Sequence, residues 1–148
     1  MSMSTLKLVS CLSLVSALLL GASPAHADDV IHSVVAVTTE GGCASALGYV
    51  VEVGEPHEAR QEAEAKARVQ YPALKRLHHR NNLRKTTNMG RHMVVVSAGV
   101  KKEGCTGRAM GVGFGADEAS ALKDAKKNQG MNFPFNDGVL KVEHSKHY

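Results

Sequence analysis

Cys43 and Cys105 are the residues of this 148-residue chain best suited by type and setting to covalent chemistry. A thiol beside a base is a nucleophile, whereas two thiols in an oxidising compartment form a bridge. Each cysteine follows a glycine, and each is followed by a matching tripeptide, Ala46-Leu47-Gly48 or Ala109-Met110-Gly111. The third cysteine, Cys11, lies in an apolar leader and is lost with it. Equivalent places in two similar segments therefore predict a Cys43–Cys105 disulfide, and closing so long a loop stabilises by roughly 4 kcal/mol through chain entropy.

The other chemically capable groups do not assemble into a site. His78 and His79 are adjacent, and on a helix adjacent side chains diverge by about 100°. His144 and His147 have i, i+3 spacing near the carboxyl terminus, without the further ligands a metal site requires. No metal site is expected. The serines offer no G-x-S-x-G elbow, and "GVGFG" at 111–115 lacks the Lys-Ser/Thr of a phosphate loop, so neither catalysis nor a cofactor is expected.

The most conspicuous polar stretch is "KRLHHRNNLRKTTNMGRH", Lys75 to His92, which contains six Lys or Arg, three His and no acid. Residues 40–64, by contrast, carry six Glu and one Arg. Such polarisation steers anionic partners. Lys75, Arg76, Arg80, Arg84 and Lys85 are the candidate anion-binding residues within the Lys75 to Arg91 segment. Nucleic acid is not an expected partner, because the stretch has no aromatic stacking residue and no reader motif.

The elements that position those residues belong to a domain behind an export leader. Lys7 precedes an apolar run from Leu8 to Leu20, and Ala25-His26-Ala27 supplies the small-x-small cleavage pattern. Residues 1–27 thus read as a cleaved signal, and 28–148 as a single periplasmic or secreted domain. With 18 Lys plus Arg against 14 Asp plus Glu, the chain is mildly basic, which excludes no soluble class.

Within 28–148 two segments run in parallel order: apolar run, Gly-Cys, second apolar run, Ala-rich charged stretch. Repeats of about 30–90 and 91–148 are expected, each strand, strand, helix. Ile31 to Thr39 and Met93 to Val100 are rich in β-branched residues, which favour strands. Ala59, Ala63 and Ala67 mark one face of a first helix that Pro72 terminates, after which "ALKRLHHRNN" resumes a helical pattern. In the second helix Asp117 caps, Ala119, Leu122 and Ala125 form the stripe, and Gly130 marks the exit.

The predicted fold is α+β, ββαββα, with one mainly antiparallel sheet, both helices on its large-residue face and a disulfide staple. Leu47, Tyr49, Val51 and Val53 would share that face with Met110, Val112 and Phe114. The opposite face, built from Ala46, Gly48, Ala109, Gly111 and Gly113 with His32, Val34 and Ala36, stays open to a partner or to a second copy as a homodimer, unless a strand at Val139–Val142 covers it. The order of segments from Val34 to Lys127 resembles that of small exported bacterial domains built from repeated strand-strand-helix units; the resemblance carries over no functional residue. The expected function is an exported, non-catalytic binding protein acting by protein-protein contact, such as an inhibitor or immunity protein against an envelope-acting enzyme or toxin. The alternatives are a binding module for anionic envelope ligands and a small secreted hydrolase.

Overall fold

A computed structural model describes residues 28–148; the expected signal at 1–27, with Cys11, lies outside the described residues. The elements are β1 (Val30–Glu40), β2 (Cys43–Gly54), α1 (Pro56–Gln70), β3 (Arg76–Asn81), β4 (Leu83–Arg84), β5 (Thr87–Asn88), β6 (His92–Gly99), β7 (Arg108–Gly115), α2 (Glu118–Asn132) and β8 (Lys141–His147). The molecule is α+β with antiparallel sheets and two helices among the described residues.

Three sheets replace the expected single one: β2-β1-β3, β7-β6-β8, and the small hairpin β4-β5. Each helix is followed by a strand that returns to the free edge of the first strand of its half, β3 to β1 and β8 to β6. The order within each half is thus strand, strand, helix, strand. Both central strands are buried on two sides, continuously from Val30 to Val37 and from Met93 to Ala98, so no single apolar face exists to receive both helices. Ile31, Val35, Met93, Val95, Met110 and Phe114 pack in a core between the two large sheets. Val34 and Val50 pack under Ala63 and Ala67 of α1, and Val94 and Val96 under Ala121 and Ala125 of α2. The layers run α1, sheet, sheet, α2, with the helices on opposite outer faces.

Helix α2 lies on the small-residue face of β7, not the large one. A Cβ added at Gly113 would stand 2.0 Å from the Ala125 nitrogen and 2.2 Å from the Ala121 oxygen, so the helix backbone occupies the space a side chain would need. The surface expected to stay open for a partner is therefore covered: Gly111 and Gly113 by α2, and His32, Val34 and Ala36, all buried, by α1. On the other side Met110, Val112 and Phe114 face the first sheet. The α2 stripe is Ala121, Ala125 and Gln129, while Ala119 is exposed. Asp117 and Ser120 form a capping box, and the helix continues past Gly130 to Asn132. Side chains of α2 also occupy the edge of β7: Asn128 and Asp124 accept the Val112 and Phe114 N–H groups, each at 3.0 Å.

Helix α1 starts at Pro56 behind Glu55, whose carboxylate accepts the His57 and Glu58 N–H groups at 3.1 Å. It ends at Tyr71, before Pro72, and the Tyr71 ring covers Gly48, where a Cβ would lie 2.2 Å from its hydroxyl. The helical continuation expected in "ALKRLHHRNN" is instead β3. Its local pattern yields to the open edge of β1, whose N–H and C=O groups β3 satisfies from His32 to Val37. A register shift at Ala36/Val37 breaks the alternation of β2 and turns Ala46 into the inter-sheet core alongside Tyr49 and Val51. The last strand starts at Lys141, so Val139 and Leu140 precede it.

Candidate binding groove

The disulfide forms between Cys43 and Cys105 with Cα atoms 5.5 Å apart, bringing the start of β2 to the loop before β7. Beside it the Arg108 N–H donates to Ser45 Oγ at 3.1 Å, and its guanidinium to the Leu47 carbonyl at 3.0 Å. A disulfide fits an oxidising compartment, the periplasm or the exterior among them.

The five basic residues named from sequence separate. Lys75 and Arg76 stand exposed at the disulfide end of β3, where Arg76 lines a hollow with Lys102, Phe133 and Phe135. Strand β3 alternates, sending Leu77 and His79 toward α1 and His78 and Arg80 toward the second half. Arg80 grips both Asp124 oxygens, at 2.6 and 2.5 Å. That fork spans 44 residues and ties the first sheet to α2. Arg84 and Lys85 lie at the far end, on the β4-β5 hairpin. Asn82, wholly buried, holds this hairpin: its amide accepts the Ile31 N–H at 3.0 Å and donates to the Gly90 carbonyl at 3.2 Å.

Between hairpin and α2 runs a groove. Its walls carry Arg84 and Lys85 on one side and Lys123 and Lys127 on the other, with Met89 and Phe114 at its base. Lys123 and Lys127 share a helix face by their i, i+4 spacing. Among the described residues none of these four cations forms an ion pair, and the groove's one carboxylate, Asp124, is committed to Arg80 and the Phe114 N–H. Sequence reasoning missed Lys123 and Lys127 because they are remote from the basic stretch. The visible signal was only their spacing.

The histidines divide by strand geometry. His78 and His79 point to opposite faces of β3, one against Phe133 and the other toward His32. His144 and His147 lie in β8, where an odd spacing turns them apart; His144 shares a hydrogen bond with the Tyr148 hydroxyl at 3.1 Å. Under α1, His32 Nε2 meets His79 Nδ1 at 3.2 Å, His79 Nε2 lies 3.4 Å from Glu64, and Glu64 accepts from Arg60 at 3.1 Å. Burial pushes His32 down to about 4 from 6.5, helped by positive potential from His79 and Arg60 and opposed by Glu64. His79 is lowered by burial, then by Arg60 and Arg68, against Glu64.

Stability therefore depends on pH with a definite sign. Between 6.5 and about 4 the unfolded chain binds a proton at position 32 that the folded one refuses, so stability falls as pH falls through that window. For His32, 3% exposed, the loss between pH 7 and 5 is expected to be about 2 kcal/mol. Urea midpoints across that range measure it, and His32→Leu should flatten the slope.

A Ser145–His92 contact at 2.9 Å has the wrong polarity for a nucleophile. Ser145 donates its proton to Glu118, also at 2.9 Å, so His92 donates to the serine instead of accepting from it. Fold and groove together define a disulfide-linked α+β protein of two sheets between two helices, with a cationic cleft at the hairpin. No family model matches the chain, and no curated protein or solved structure matches it either.

Proposed function

We propose that this protein is an exported, non-catalytic binding protein that acts by protein-protein contact, and that its two halves are one duplicated strand-strand-helix-strand unit. The observation carrying the contact reading is a run of exposed apolar residues leading into an edge strand. Phe135, Val139, Leu140 and Val142 are 57%, 74%, 36% and 47% exposed, and β8, which holds Val142, pairs within its sheet only with β6. Unpaired edges and concentrated apolar exposure are both features that another protein covers. Lys146 on β8 and Lys102 over the Phe135 ring favour an acidic extended segment as the incoming strand, while Lys141 is paired with Glu143 of the same strand at 3.4 Å. An inhibitor or immunity protein against an envelope-acting enzyme or toxin is the finer form of this reading.

The test is affinity capture from envelope extract with the wild-type protein and a Val139→Glu/Val142→Glu variant. The wild type is expected to retain a stoichiometric partner and the variant to lose it by about tenfold or more, as for truncation of a hot spot. Equal recovery by both would remove the edge as the contact surface. A second reading, binding of anionic envelope components, is favoured by the four unpaired cations of the groove.

A further inference from the structure

We infer that the groove between the β4-β5 hairpin and α2 is a docking site for a phosphomonoester lipid head group at a membrane surface. The inference rests on the second reading above, that the groove binds anions. Arg84 and Lys85 of the hairpin line it together with Lys123 and Lys127 of α2, and all four are exposed. With Asp124 held by Arg80 at 2.5 Å, the groove's own carboxylate does not neutralise them. The four cations, none in an ion pair among the described residues, repel one another, and a phosphomonoester, close to doubly charged near neutral pH, relieves that repulsion with the highest charge in the least volume. Its oxygens also match the planar fork of Arg84 and the point charges of the lysines.

Two further observations select a lipid over a soluble phosphate. Met89 lines the groove and Met131 on its border is 70% exposed, apolar surface that suits the glycerol and acyl region behind a head group. All four basic residues are exposed on the hairpin and α2, where an anionic bilayer attracts each Lys or Arg.

The experiment is co-sedimentation of the purified protein with vesicles of phosphatidylcholine alone and with the same vesicles containing phosphatidic acid, with soluble pyrophosphate and poly-glutamate as competitors. Strong, salt-sensitive binding is expected with phosphatidic acid and none with phosphatidylcholine. At roughly fivefold per basic residue near an anionic surface, an Arg84→Gln/Lys85→Gln/Lys123→Gln/Lys127→Gln variant should bind several-hundred-fold more weakly. All four positions are exposed, and an unchanged urea midpoint confirms that the variant is folded. Pyrophosphate binding to the wild type without vesicle association would overturn the lipid inference while leaving the anion reading intact. Tighter binding of poly-glutamate than of phosphatidic acid would overturn it in favour of an acidic peptide. Absence of binding to every anion, or full retention by the variant, would overturn both.

Discussion

Gly113→Ala is expected to destabilise the protein by at least about 3 kcal/mol, the upper range for overpacking, because nothing flexible can yield. The new methyl would meet the Ala125 nitrogen and the Ala121 oxygen at 2.0 and 2.2 Å. Both are backbone atoms of α2, so the whole helix must move outward. That movement would strip the Val112 and Phe114 N–H groups of Asn128 and Asp124 and break the Arg80 fork that anchors the first sheet. Natural domains are stable by only about 5–15 kcal/mol, and the urea midpoint should fall sharply. Gly130→Ala is the matched control. It lies within α2 with nothing inside 4 Å of the added atom, so the change should stabilise by up to about 1 kcal/mol through helix propensity. A similar midpoint for both variants would mean that α2 does not rest on β7 as described.

Removing the disulfide is the second large effect. Cys43→Ser/Cys105→Ser frees a separation of 62 residues in the unfolded chain, and loop-closure entropy sets the loss at about 4 kcal/mol. The folded state keeps a non-covalent link at the same place, since Arg108 bonds Ser45 and the Leu47 carbonyl. The loss therefore comes mainly from the greater entropy of the unfolded ensemble, and native spectra are expected at low temperature. Thermal unfolding with and without reductant measures it for the wild type, and the double variant should match the reduced protein. A midpoint unchanged by reduction would show that the two turns are already restrained in the unfolded chain.

The features legible in the residues were the local ones. The β-branched runs mark β1 and β6, Pro72 and Asp117 bound the helices, and Ala59, Ala63 and Ala67 name the face that α1 buries. The Cys43–Cys105 bridge was also legible, because the two cysteines occupy matching positions in similar segments. These signals act within a few residues, or by the matching of similar segments, and need no knowledge of what lies across the molecule.

Tertiary structure alone decided the rest. "KRLHHRNN" reads locally as a helical continuation and becomes β3 because β1 presents an unpaired edge. The glycines of β7 announce close approach but not by what; a partner sheet, a second copy and α2 all satisfy that demand, and only the chain path chooses α2. His32 and His79 are 47 residues apart, and Arg80 and Asp124 are 44 apart. The groove that sets Arg84 and Lys85 opposite Lys123 and Lys127 arises from the same long-range docking. Capping, propensity and alternation are properties of neighbours in sequence, whereas a shared cavity depends on contacts between distant segments, and those are set by the packing of whole layers.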